Sequence, residues 1–158
     1  MSSRLLISLM LIPGIGLAVQ MCGCVSTNME DPKQVVIAMF GAMEKNDQAA
    51  LAHLLDLTEL MKDESSHYAL QGGEARLFTN PQEILDDLTN EGQTKQRWFS
   101  LQRIINKSEM MGDNATVEVT FVDKDASRGY LTKFGLKRIH GRWKIYSFQT
   151  EQQAPESP

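Results

Sequence analysis

Ala115-Thr-Val-Glu-Val-Thr-Phe121 alternates apolar and polar residues without a break. Its Val and Thr are β-branched, which suits the pleated chain, and period-two alternation is the mark of a strand buried on one face. Gly112-Asp-Asn114 ahead of it is a turn signal, and Asp123 to Gly129 behind it is a polar loop. The pattern then repeats. Thr132, Phe134 and Leu136 alternate with Lys133, Gly135 and Lys137; after a tight turn at His140-Gly141, Trp143 and Ile145 alternate with Lys144 and Tyr146. Three successive strands on short turns make an antiparallel meander with one apolar face. Each large side chain on that face gains roughly 1.5–3 kcal/mol from burial, so something must cover it.

The cover comes from upstream. Asp31-Pro32 is a helix start, because Asp caps a helix N-terminus and Pro fits its first position. Val35, Val36, Met39, Phe40 and Met43 follow at three- and four-residue spacing, an amphipathic stripe. Asn46-Asp47 ends this helix and caps a second, with Leu51, Leu54 and Leu55 as its stripe. Glu59 to Tyr68 reads as a third helical stretch, interrupted by Gly72-Gly73. Asn80-Pro81 repeats the start signal, with Ile84, Leu85 and Leu88 as the buried residues. Trp98 to Lys107 is apolar and β-capable, with no facing assigned. The expected fold class is α+β: N-terminal helices packed against a curved antiparallel sheet.

The N-terminus reads as an address. Arg4 precedes an apolar run from Leu5 to Val19, which ends in Met21-Cys22-Gly23-Cys24. A charged start, apolar core and small-residue cut site are the parts of a secretory signal peptide. The last four residues resemble the lipobox of bacterial lipoproteins, with Met21 where Leu is usual and Cys22 as the small residue. That resemblance implies lipidation of Cys24 as the new N-terminus and a bilayer partner through the acyl chains. Ser26, second after Cys24 and in place of Asp, implies the periplasmic face of the outer membrane, or otherwise the extracytoplasmic face of the cell membrane. Other readings are cleavage without lipid, an uncleaved anchor, and Cys22 as acceptor. No Ala-x-Ala site supports the first. Pro13-Gly14 and a length short of the roughly 20 residues of a spanning helix oppose the second. Gln20-Met21 supplies no small residue for the third.

The expected organisation is a signal peptide over 1–23, a lipidated N-terminus and tether over 24–30, one domain over 31–149 and a disordered tail over 150–158. The net charge of −4 becomes one unit more acidic once Arg4 leaves. Such a domain lacks the basic stripe of a nucleic-acid binder. Both cysteines of the chain lie at 22 and 24, so the domain has no disulfide and must fold by burial.

Asp31-Pro-Lys-Gln-Val-Val-Ile-Ala-Met-Phe-Gly-Ala-Met-Glu-Lys-Asn-Asp47, with Ala49 to Leu55 after it, resembles the opening of nuclear-transport-factor-2-like domains. Gly112 to Phe121 and Leu136-Lys-Arg-Ile-His-Gly-Arg-Trp-Lys-Ile145 resemble their closing strands. The resemblance is nearest to functionally unassigned lipoproteins of that superfamily. It implies a cone, a sheet wrapped round a long helix, often with a pocket at its open end. Fold alone does not settle function, since this one hosts enzymes, binding modules and dimerisation domains.

The inward set of Val117, Val119, Phe121, Phe134, Leu136, Trp143 and Ile145 carries no carboxylate or imidazole. Phe40, Phe121, Tyr130, Thr132, Phe134 and Trp143 are therefore candidates to line a pocket for a small apolar ligand, not an acid–base centre. No catalytic residue is assigned, and no cofactor or metal is expected: no His-Glu-x-x-His or cysteine cluster is present, and Asp123 to Gly129 lacks the Gly and Glu of a calcium loop. His67, one turn after Asp63 and Glu64, has the spacing of an oriented imidazole and also of any charged helix. The expected function is a lipid-anchored, non-catalytic envelope domain that binds a small apolar ligand or a protein partner. One alternative is an isomerase- or dehydratase-like enzyme drawing Glu59, Asp63, His67 or Glu74 from residues 58–97. Another is a homodimer formed through an outer sheet face with Leu131, Tyr146 and Phe148.

Overall fold

The computed structural model describes residues 31–71 and 77–152. Cys24 and the segments before residue 31, Glu74, and residues 153–158 lie outside them, as does the side chain of His67.

The first helix, α1 (Pro32–Lys45), begins as its sequence demands: the Asp31 carboxylate accepts the Lys33 N–H at 2.9 Å. It ends at Asn46, which takes a left-handed φ of 57° and donates its N–H back into the last turn. Asp47 caps α2 (Gln48–Leu54) through the Ala50 N–H, and Asp56 caps α3 (Leu57–Leu60) through the Glu59 N–H. Then come α4 (Glu64–Gln71), α5 (Pro81–Asp87), capped by Asn80, and α6 (Gln93–Ser100). Four strands follow among the described residues: β1 (Gln102–Met111), β2 (Asn114–Asp123), β3 (Arg128–Ile139) and β4 (Arg142–Gln152). They form one antiparallel sheet in the order β1-β2-β3-β4.

The expected α+β arrangement is present. Val35, Val36, Met39 and Met43 of α1, Leu51, Leu55, Leu60, Ile84 and Leu88 are fully buried against the inward sheet row of Val117, Val119, Phe134, Leu136 and Ile145. Several details differ from the sequence reading. The single helical stretch over Glu59 to Tyr68 is two short helices, because Asp63 starts α4 afresh by accepting the Ser65 N–H at 3.1 Å. Trp98 to Lys107 is not one strand; its first three residues finish α6. The sheet also continues to Gln152, into residues read as tail.

Two bulges steer the sheet. In β1 the register slips between Ile105 and Ser108, so Asn106 and Lys107 together oppose one residue of β2. Between β3 and β4, Phe134 pairs with Phe148 but Leu136 pairs with Ile145. The extra residue in β4 turns Phe148 inward, where it is fully buried. Phe148 was expected on the outer face; the bulge reverses that assignment. Strict alternation fails by one residue at such a point.

Candidate functional site

Beneath α1 the inward side chains of α6 and the sheet converge on an aromatic cluster. Phe40 meets Phe121 and Phe134 edge-on, with centroids 6.2 and 6.0 Å apart. Trp98 stacks on Phe121 at 5.2 Å and stands against Phe40, Phe134 and Phe148 at 5.8–5.9 Å. Phe134 meets Phe148 edge-on at 5.2 Å. These are ordinary contact distances for packed rings. Trp98 touches the other four and is 2% exposed. The structure thus brings together three of the sequence-derived candidates, Phe40, Phe121 and Phe134, and adds Trp98 and Phe148, which the reading did not include. The rings pack on one another.

The remaining candidates sit around this cluster. Thr132 is buried and its hydroxyl shares a hydrogen bond with the Thr150 hydroxyl at 2.9 Å across β3 and β4. Tyr130, half-buried and packed on the core, lies in register between Phe121 and Gln152. Trp143 is buried, with the Arg138 guanidinium 4.7 Å from its ring centroid.

A polar rim surrounds the Tyr130 end. Arg97 of α6 donates to the Ala69 carbonyl at 2.8 Å. Burial lowers its pKa, while the nearby Asp87 and Tyr130 push it back up. Asp87 accepts the Thr94 N–H at 3.2 Å through Oδ1, and its Oδ2 is buried without a hydrogen-bond partner among the described residues. Arg97 thus stands near Tyr130 of the sheet, with Asp87 beside it. The residues of 58–97 singled out by sequence have other places. Glu59 is paired with Lys62 at 3.1 Å near solvent. Asp63 accepts the hydroxyls of Ser65 and Ser66 at 2.6 Å each, a cap for α4.

Arg103 stands at the same end of β1, in register with Phe121. Its guanidinium lies 3.8 Å from the Phe99 centroid and 5.1 Å from that of Phe40. Burial lowers its pKa, with Glu44 acting the other way. Its Nη1 is buried with no acceptor among the described residues. Nothing in the sequence marked Arg103, since the facing of β1 was unreadable.

The outer sheet face is a charge ladder. Lys107 meets Glu109 at 2.8 Å and Glu118 at 3.8 Å, and Lys133 meets Glu151 at 2.9 Å. The two sheet edges differ. At β4, the Asp56 N–H donates to the Ile145 carbonyl at 2.7 Å beside a parallel bridge from Leu55, and the Phe148 N–H donates to the buried Ser66 hydroxyl at 2.8 Å. At β1, no described residue pairs with the edge turned away from β2. Ile104, Met110 and Met111 on this strand are 44%, 61% and 77% exposed.

No group of His, Cys, Asp or Glu suited to a metal ion occurs among the described residues, and none of their helices is long and apolar enough to cross a membrane. No protein-family model matches the sequence, and no curated protein does either. Solved structures do. An NTF2-like protein of unknown function from Silicibacter pomeroyi is 17% identical, with 77% of this chain and 92% of that one covered, at a TM-score of 0.45. An NTF2-like protein of unknown function from Shewanella baltica is 13% identical, with coverage of 77% and 90% and a TM-score of 0.45. A chain of a type VI effector–immunity complex from Ralstonia pickettii is 13% identical, with coverage of 78% and 99% and a TM-score of 0.44. Likeness at this distance assigns no activity.

Proposed function

We propose that the chain is a lipid-anchored protein of the cell envelope whose domain binds a protein partner along β1. The observation that carries the partner reading is the contrast between the two sheet edges. The chain's own Leu55, Asp56 and Ser66 occupy β4, whereas no described residue pairs with the backbone groups of β1 beside exposed Ile104. An open edge is a template for another strand, and proteins that do not use one usually blunt it. The packed aromatic cluster supports a protein over a small apolar ligand, because the rings already occupy the face a ligand would take.

Anchoring rests on the lipobox-like Met21-Cys-Gly-Cys24. Several acyl chains, at about 0.8 kcal/mol per buried methylene, hold a protein at a bilayer where one chain binds only marginally. Labelled palmitate should enter the wild-type chain and not Cys24→Ala; equal labelling refutes the anchor. For the partner, a photo-crosslinker is placed at Ile104 or at Lys133 in cells. A discrete adduct from position 104 that is lost on a second change, Gln102→Lys, and is missing from position 133 is the expected result. Adducts of equal yield from both positions refute β1 docking.

A second reading has its own observation. The Oδ2 of Asp87, buried without a partner among the described residues and near Arg97, is a polar group of the kind that binds a small ligand. A ligand there would be displaced by Asp87→Asn with the β1 adduct unchanged.

A further inference from the structure

Buried guanidinium groups ordinarily find acceptors, because an unmatched charged donor in a low-dielectric setting is expensive. Arg103, half-buried, breaks that rule at one atom. Two rings hold its guanidinium, at 3.8 and 5.1 Å, yet its buried Nη1 has no acceptor among the described residues. Glu44 influences it only at a distance and forms no ion pair with it. The ring contacts fix where the charge sits; no described residue accepts from its hydrogen-bonding fork.

The strand that carries this group is the one whose outer edge no described residue pairs, and the bulge divides it. Beyond the slip, Lys107 and Glu109 are engaged with each other on the outer face, which discourages strand addition there. Before the slip, Gln102 to Ile105 is regular β-strand, paired in order with Val122 to Val119. Arg103 and half-buried Ile105 face the helices, and exposed Ile104 faces outward. On α1, Ile37 is 45% exposed one turn before Phe40, which extends the apolar surface beside the rings.

We propose that Arg103 anchors a carboxylate-recognition site, filled by an extended segment of the partner protein that adds antiparallel to Gln102–Ile105. The inference rests on the proposed function and names its chemistry. Directly opposed residues in such a pair have Cβ atoms about 4.5–5.5 Å apart, within reach of a carboxylate–guanidinium fork. The segment therefore carries Asp or Glu opposite Arg103, with apolar residues opposite Ile104 and Ile105. A second copy of β1 does not meet this need: its inward residues are Arg103, Ile105, Ser108 and Met110, with no acid among them.

The test uses the full chain in detergent and a labelled, end-blocked pentapeptide, valine-isoleucine-glutamate-threonine-threonine, read by fluorescence anisotropy. A twin with glutamine for glutamate is the control. The glutamate peptide should bind at least ten-fold more tightly than its twin, and more weakly as salt rises. Arg103→Gln should remove that preference. Equal binding of the two peptides to the wild-type chain, or no saturable binding of the glutamate peptide at millimolar concentration, overturns the inference without any variant having to fold. Complete displacement by equimolar hexanoate also overturns it, since the site would then take a free carboxylate rather than a strand. Peptides indistinguishable on the wild-type chain, with the Ile104 adduct persisting in Arg103→Gln, sink this inference alone and leave partner binding along β1 standing.

Discussion

Replacing Trp98 by alanine asks whether the aromatic cluster is a filled core or the wall of a pocket. The side chain is 2% exposed and stands against four other rings. Trp→Ala in a packed core costs about 3–5 kcal/mol, the lost transfer energy plus the cavity left behind. Each aromatic pair adds about 0.5–1.5 kcal/mol beyond area, so four lost pairs push Trp98→Ala toward the upper end of that range. Against a typical net stability of about 5–15 kcal/mol, the variant should be marginal but measurable. Urea unfolding of a chain beginning at Ser26 reads the change. With a slope of about 2 kcal/mol per molar, a loss near 4 kcal/mol moves the midpoint by about 2 M. Indole, which fits the vacated space, should move it part of the way back by binding only the folded form. A loss under about 1 kcal/mol refutes the reasoning: the rings would then border a hollow, and a small apolar ligand would regain the advantage.

Asp56 should make acid stability depend on one pair. Burial alone would raise its pKa, but Lys137 at 3.0 Å, the Glu59 N–H and Lys144 together hold it below the usual value. Its contribution is therefore present above the unfolded carboxylate range and fades as pH falls through the lowered value. Asp56→Asn should flatten that acid limb while changing neutral stability by about 1 kcal/mol or less, as measured by melting from pH 2 to 7. Gly92 and Gly41 should respond oppositely to alanine. A Cβ on Gly92 would run into the backbone carbonyls of Asp86 and Asp87, so Gly92→Ala should lose about 1–3 kcal/mol in thermal melts. Gly41 lies inside α1 with open space round it, and Gly41→Ala should gain about 0.5–1 kcal/mol.

What could be read from the sequence was whatever repeats at a fixed period. β2, β3 and β4 announced themselves by alternation, and α1 and α5 by Asp31-Pro32 and Asn80-Pro81, whose side chains do cap those helices. Phe40, Phe121 and Phe134 followed from that register. The rest was hidden by local exceptions. In β1 a cation occupies an inward position and two successive residues bulge outward, so no alternation survives to be seen. In α6 only Thr94 and Trp98 are fully buried, too few to draw a stripe, and the most connected ring of the core went unnoticed. One inserted residue in β4 moved Phe148 from the outside to the inside. The candidate docking stretch was therefore illegible, since its meaning depends on which strand edge no described residue pairs.

The link from Leu55 and Asp56 to Ile145 ties the first half of the chain to its last strand. Helices as short as these have little stability alone. During synthesis α1 to α6 emerge before any strand that could shelter them, and the strand that seals α2 and α3 is made last. The domain thus stays uncommitted until β4 is out, then closes quickly, because β2, β3 and β4 each pair with the strand before them. A ribosome stalled before Arg142 would hold a chain without its keystone.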